Sequence, residues 1–407
     1  MADTEVLVIG GGIAGASAAW RLAELGSSVT LLERGDIASE SSGVNAGGIG
    51  ALGWGHVPNL QSYLTMGSLQ IFKHLQLELG YDIEFRASGA LQAIQTAEQY
   101  EYARDNVLSL KSQGYTLELL TVNEARGLEP ELNPDLVGVV HIPLRAQADP
   151  VKATRAFAAA AEQSGAQVLT GREVTAITCQ ANGGFRVACS SASSGEVHTA
   201  KQLVLAAGAW CGTLGEMLGL RIPIIPVRGQ MWASEPLPPR VFHSLSAAES
   251  PLHWTASPGN DEGNDASTPP ELTHLGSRRV TRHLYGRQTR DGELVFGGDR
   301  QVVGYDKTVE DAGIEVNFGH VRELLPMLGQ LSITRTWAGL MPFSLDGKPV
   351  IGKIPQMENL YIVSGLASSG FGRGPMAGKL IADYIHTGHR PQVLAESDPA
   401  RCVSVLD

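Results

Sequence analysis

Gly10, Gly12 and Gly15 occupy the first, third and sixth positions of GGGIAG, and Glu33 follows eighteen residues after the last of them. Residue types at that spacing can hold a diphosphate and a ribose. The first glycine permits a tight turn, the second lets a pyrophosphate reach the backbone, and the third lets a helix lie close on a strand. Free N–H groups at the helix start supply positive potential for the phosphates. A carboxylate at Glu33 can accept from both hydroxyls of an adenosine ribose and would repel a 2′-phosphate. A second glycine turn, GFGR at residues 370–373, lies close to the other end of the 407-residue chain. Two dinucleotides, or two ends of one, would account for the pair.

The elements around the first turn fit its chemistry. The run from Glu5 to Gly10 has the length of a buried parallel strand, an Ala-rich helix follows the glycines, and SSVTLLER gives a second strand ending at Glu33. A lone glycine triplet carries little information; strand, helix, strand and terminal acid in register point to dinucleotide binding. The motif fits NAD and FAD alike. The segment after Glu33 is long and rich in small residues, and Ser41, Ser42, Asn45, Gly47 and Gly48 are suited to flank an extended diphosphate and a flat ring. GAQVLTGREVTAIT holds two short strand candidates, and HTAKQLVLAAGAWCG reads as a strand ending at Ala207, Gly208, Ala209 and Trp210.

Composition bounds the rest. A chain of 43.1 kDa with 43% hydrophobic residues supports two domains, and 48 glycines suggest many turns and close backbone approaches. A net charge of −11 argues against nucleic acid or an anionic membrane as a large-area partner. No apolar run approaches the ~18 residues of a membrane span, and MADTEVLVIGGG lacks signal-peptide character, so a cytoplasmic protein is expected. Cys179, Cys189, Cys211 and Cys402 show no metal or redox spacing and read as buried thiols without a role. No metal motif, Ser/His/Asp set or paired carboxylates stand out.

Four stretches taken together, GGGIAGASAAWRL…LLER, QLVLAAGAW, WAGLMPFSLDGKPVIG and NLYIVSGLASSGFGRGPMAGKLIADYI, resemble the D-amino-acid oxidase superfamily of FAD-dependent oxidoreductases. The similarity is closer to its branch of glycine oxidases, sarcosine oxidases and amino-acid dehydrogenases. It implies an α/β fold: a Rossmann-type FAD-binding domain with a discontinuous second α+β substrate domain on a mostly antiparallel sheet. The expected pieces are 1–85, 145–224 and 331–407 for the FAD-binding domain, and 86–144 and 225–330 for the substrate domain. A polar insertion falls at about 257–277. Under this resemblance the late turn, Gly370, Phe371, Gly372 and Arg373, meets the flavin end of the same cofactor. Its N–H groups would favour negative charge on the reduced ring. Ile13, Ala14, Arg34, Ala46, Val174 and Gly339 complete the expected FAD contacts, with Gly10, Gly12, Gly15, Glu33, Ser41, Ser42, Asn45, Gly47, Gly48, Ala207, Gly208 and Trp210.

The resemblance also implies the substrate side. Tyr285, seven residues before Gly292, matches a tyrosine that holds the substrate carboxylate in glycine oxidases. Arg373 matches a basic residue after the late turn and can bind a carboxylate through two parallel hydrogen bonds. Met341 stands where many glycine oxidases have arginine, and no Lys or Arg occurs from Gly35 to Phe72. Either Arg373 acts with Tyr285 alone or Arg228, Arg282 or Arg287 compensates; otherwise Met341 implies an apolar substrate or one lacking a carboxylate. Val295 aligns with the lysine that promotes oxygen reaction in sarcosine oxidases, which keeps a dehydrogenase open. Trp54, His56, His283 and Trp337 are further candidates for the pocket wall. The cysteine and histidine that carry covalent flavin in relatives have no counterparts, so noncovalent FAD is expected.

The expected reaction is oxidation of the CH–NH bond of a small amine, an amino acid or N-alkyl amino acid, by hydride transfer to flavin N5 and hydrolysis of the imine. It needs positioning groups and no dedicated protein base. The expected partners are the amine and O2 or another electron acceptor, with oligomer formation open. The alternatives are a dehydrogenase serving a quinone or partner protein, oxidative modification of a tRNA base, and a noncatalytic FAD-binding scaffold.

Overall fold

The computed structural model describes residues 4–50, 59–190, 195–249, 274–275, 278–279 and 282–406. Trp54, His56 and the body of the polar insertion lie outside the described residues.

Two eight-stranded sheets organise the chain. The first runs in the order Val350–Lys353, Leu360–Ser364, Glu196–Leu205, Thr4–Ile9, Val29–Leu32, Gln167–Leu169. Its neighbours pair in parallel, except that Val350–Lys353 is antiparallel to Leu360–Ser364. The hairpin Glu173–Cys179 and Phe185–Ser190 continues from the strand Glu196–Leu205. Val6 to Ile9 and Leu360 to Ser364 are buried throughout, as strands covered on both faces must be. The parallel core, strand and helix order, and late return of the chain at Leu360–Ser364 all match the Rossmann-type expectation.

Helix Ile13–Glu24 crosses this sheet with ten buried residues. Its Ala-rich face lets the late helix Gly370–Thr387 come very close. A Cβ on Gly378 would lie 2.4 Å from Ala14 O, and one on Gly374 would lie 2.6 Å from Ile13 Cγ2. Ser17 Oγ donates to Pro375 O at 2.8 Å, using a carbonyl in the same contact.

The second sheet runs Ile333–Ser344, Ile224–Ser234, Leu294–Gly297, Tyr285–Gln288, Ser244–Ala247, Ala90–Ile94, Gly138–Ile142, Glu118–Leu120. Ser244–Ala247 and Ala90–Ile94 are parallel; the other neighbours in this order are antiparallel. The hairpin expected around Asp291–Gly292 forms, pairing Tyr285 with Gly297 and Gln288 with Leu294. Gly292, at φ +94°, packs so close to Leu237 O that a Cβ would lie 2.4 Å away.

One boundary is corrected. The strand Ile333–Ser344, assigned from sequence to the last FAD-binding piece, pairs along its length with Ile224–Ser234 as the edge of the second sheet. The apolar pattern of this segment fits either sheet, and only long-range pairing selects one. The cysteines are also corrected in part: Cys189 and Cys211 are buried, with burial raising both thiols to about 11, whereas Cys179 is exposed and Cys402 half-buried.

Candidate active site

A cavity of about 410 Å³ runs from the glycine turn to the inner face of the second sheet. Gly10 adopts φ +119° where the first strand turns into the helix, a conformation that L side chains rarely adopt. Gly15 lies directly above it, and a Cβ there would meet Gly10 O at 2.0 Å. The helix Ile13–Glu24 therefore begins hard against its strand and points its N-terminus into the cavity. No side chain caps it at Gly12, although Ser42 Oγ accepts from Ile13 N–H at 3.0 Å. The late helix also opens onto the cavity, through Gly370 to Arg373, with no side-chain cap at Ser369 and no acid in its first turn. Two helix N-termini at one elongated cavity provide favourable ends for an anionic, extended cofactor.

Most expected cofactor residues line this cavity: Gly10, Gly12, Ile13, Ala14, Glu33, Arg34, Ser41, Ser42, Asn45, Ala46, Gly48, Val174, Ala207, Gly208, Trp210, Gly370, Phe371, Gly372 and Arg373. Gly15, Gly47 and Gly339 do not line it and act by permitting close packing instead. A Cβ at Gly47 would lie 1.9 Å from Ala148 O, and one at Gly339 would lie 2.3 Å from Val44 Cγ2. Glu33 does more than end a strand: its carboxylate accepts from Gly11 N–H at 2.7 Å and Gly35 N–H at 2.8 Å. It braces both loops at that end of the cavity. Arg34 lies 3.8 Å from the Trp210 ring centroid, and Trp210 stacks on Tyr305 with centroids 5.5 Å apart.

At the opposite end Tyr285, Met341 and Arg373 all reach the cavity. Burial raises the Tyr285 pKa above the ordinary value, with the nearby Ala46 backbone acting in the opposite direction. Arg373 Nε lies 3.4 Å from Thr65 Oγ1. Burial, with Arg145 nearby, brings the Arg373 guanidinium down to about 10, still cationic at neutral pH. Met341 pairs with Val227 across the strands, and its Cε flanks Gly229.

The cations proposed to compensate for Met341 are corrected. Arg228 is buried in a separate network, donating to Thr308 O at 2.6 Å and to Gln301, with Glu310 at 2.7 Å. Arg282 pairs with Glu249 and Glu323. Arg287 donates to Ala46 O at 2.5 Å and Ala148 O at 3.1 Å, and lines a second cavity behind the loop. Val295 and Trp337 also line that second cavity. Val295 packs with Ala46, Met231 and Ala233, and Trp337 Nε1 donates to Val44 O at 2.8 Å.

Arg300 and Arg145, neither anticipated from sequence, line the main cavity instead, and Arg172 lines it while paired with Glu196. Arg300 donates from Nη2 to His283 Nε2 at 2.8 Å and to Ser368 Oγ at 2.9 Å. Burial brings it to about 9. His283 is accordingly an acceptor at Nε2, and burial first and the Arg300 charge second hold its pKa well below 6.5. Arg145 lies at the turn before Ala146–Gln147, and burial brings it to about 10. Both follow strand ends without a motif, so sequence spacing gives no sign of them. Among the described residues, no lysine lines this cavity and no cluster of His, Cys, Asp and Glu suits a metal. No described helix is long and apolar enough to cross a membrane.

Residues 5–384 match the family model DAO, FAD dependent oxidoreductase. The chain is 28% identical over 402 residues to a glycine oxidase of Pseudomonas aeruginosa, covering 97% of each. It is 27% identical over 385 residues to a glycine oxidase of Bacillus licheniformis, covering 94% of this chain and 92% of the relative. Among solved structures, glycine oxidase from Geobacillus kaustophilus superposes with a TM-score of 0.82 at 23% identity, covering 98% and 99% of the two chains. L-proline dehydrogenase from P. horikoshii gives 0.79 at 25% identity, covering 98% and 97%.

Proposed function

Because the chain belongs to the DAO family of FAD-dependent oxidoreductases, we propose that it oxidises the CH–NH bond of a small amino acid or N-alkyl amino acid. Loss of two electrons and two protons gives C=N, and water then releases the oxo product and the amine or ammonia. The observation that carries this reading is the gathering of Arg300, Arg373 and Tyr285 at the end of the cavity opposite Glu33. That end suits a carboxylate attached to the carbon being oxidised. The two relatives named glycine oxidase support the same class.

FAD bound in the cavity supplies the two-electron acceptor. Gly10, Gly12 and Ser42 with the first helix N-terminus would hold its diphosphate, and Glu33 would meet the ribose. The uncapped turn Gly370–Arg373 would face the flavin end, where its N–H groups favour negative charge. Among the pocket side chains, Arg300 and Tyr285 orient the substrate carboxylate. The amine enters as its free base, because His283 Nε2 already accepts from Arg300 and is not available for its proton. O2 would be the final two-electron acceptor, giving peroxide, in the reading favoured by the relatives named glycine oxidase.

An anaerobic scan tests the proposal. Flavin absorbance near its visible maximum is followed with glycine, sarcosine, proline and D- and L-amino acids, and air is then admitted. Bleaching by one of these, with rapid recovery in air, is expected. Failure of all to bleach the bound flavin removes the amine reading; bleaching with slow recovery in air replaces O2 by a quinone or partner protein.

A further inference from the structure

Three arginines reach the same end of the cavity from separate elements. Arg300 follows the strand Leu294–Gly297, Arg145 precedes Ala146–Gln147, and Arg373 lies in the first turn of the late helix. The acids lining the cavity among the described residues are Glu33, Glu40 and Glu173. They belong to its other end. Glu33 braces Gly11 and Gly35, Glu40 pairs with Arg34 and Lys307, and Glu173 starts a strand of the first sheet's hairpin.

Arg145 is the least accounted for. Its Nε is buried without a hydrogen-bond partner, and no ion pair among the described residues includes it. It is also firmly rooted. Its amide donates to Ile142 O at 3.2 Å, its carbonyl accepts from Gly89 N–H at 2.9 Å, and a Cβ on Gly50 would come within 2.9 Å of its Cα. A Cβ on Gly372 would in turn lie 3.3 Å from Gly48 O and Ile49 Cα. The strand Gly48–Ile49 thus runs between the Arg145 turn and the first turn of the late helix, which places the Arg145 and Arg373 charges close enough to repel. Holding two like charges together away from water is costly unless an anion joins them. Reduced flavin offers about one negative charge, and an α-carboxylate has room for the donors of Arg300 and Tyr285.

We propose that the cavity is specific for amines carrying two acidic groups: one carboxylate binds Arg300 and Tyr285, and the second binds Arg145 beside Arg373. This rests on the amine-oxidising reading above and names its substrate class. The oxidised bond and the fate of electrons and protons are unchanged; the second acid is a handle and does not react.

The test separates binding from turnover in the FAD-loaded protein. Perturbation of flavin absorbance is titrated with acetate and with malonate, neither of which carries an amine. Malonate is expected to bind about tenfold more tightly or better, the worth of one added charge-assisted contact. In Arg145→Met that ratio is expected to fall towards one, and Arg145→Lys to restore part of it. Turnover is then compared for glycine against aspartate of each configuration, and sarcosine against iminodiacetate. The dicarboxylate member of at least one pair should lead by about tenfold in kcat/KM, a lead lost in Arg145→Met. Equal binding of acetate and malonate by the unmodified protein would overturn the proposal, as would ratios that are the same in Arg145→Met. Malonate selectivity without bleaching by any amine sinks the oxidation reading and leaves the two-acid site standing. Turnover that favours glycine or sarcosine sinks the two-acid specificity alone.

Discussion

Arg300 Nη2 donates to His283 Nε2 across 2.8 Å, so this ring nitrogen is an acceptor facing a guanidinium from the other end of the same hairpin. The His283 pKa is depressed by burial first, then by Arg300 and His320. An unfolded chain takes up this proton as pH falls through about 6.5, whereas the folded chain does not. Stability from this group is therefore present above that value and lost below it, at up to about 1.4 kcal/mol per pH unit. Melting curves between pH 7 and pH 5 should show a shallower acid decline for His283→Asn than for the unmodified protein. Equal slopes would remove His283 from the account.

Arg300→Met should raise KM for a carboxylate substrate by about 10–100-fold, corresponding to a hydrogen bond to a charged group of about 1.5–3 kcal/mol. Arg300→Lys should recover part of the loss, because it keeps charge but not the planar fork. Steady-state kinetics with the best amine of the anaerobic scan checks this. An unchanged KM in Arg300→Met would exclude a role in carboxylate binding.

Gly12→Ala and Gly15→Ala should fail differently. A Cβ at Gly12 meets only the Ser42 hydroxyl, at 3.0 Å, whereas a Cβ at Gly15 would lie 2.0 Å from the Gly10 carbonyl. Side chains yield more readily than backbone. Gly12→Ala should fold and lose FAD affinity; Gly15→Ala should lose Tm in the apoprotein as well, by an overpacking cost of about 1–3 kcal/mol or more. The ratio of flavin to protein absorbance, with apoprotein melting, separates the two.

Arg228→Met should lower Tm through loss of its bonds to Thr308, Gln301 and Glu310, roughly 1.5–3 kcal/mol for a charged contact. KM should remain unchanged, because Arg228 does not line the main cavity. A selective rise in KM would restore it as a substrate cation.

The elements with strong local patterns are legible in the sequence. GGGIAG with its flanking strands, the Asp291–Gly292 hairpin and the late return at NLYIVSG each carry their signal within about thirty residues. The lost information was long-range. Ile333–Ser344 changed sheets because its partner lies a hundred positions earlier in Ile224–Ser234. Arg300 escaped notice because a single arginine after a strand has no spacing to betray it. The sheet register brings it to Met341: Gly229 faces both Met341 Cε and the carbonyl of Asp299, the residue before Arg300. Arg287 lies two positions after Tyr285 on the same strand, which puts both on one face. Arg287 is drawn to the Ala46 carbonyl and opens into the second cavity, whereas Tyr285 opens into the main one.

The loop that carries Ser42 and Ala46 is tied down from far along the chain. Trp337 bonds Val44 O across 293 positions, and Arg287 bonds Ala46 O across 241. During synthesis the glycine turn leaves the ribosome well before Arg287 and Trp337, so the clamp on its neighbouring loop is made only after the intervening segment has emerged. A nascent chain stalled before Ile333 carries the fingerprint and the Arg287 tie to Ala46, but not the Trp337 tie to Val44.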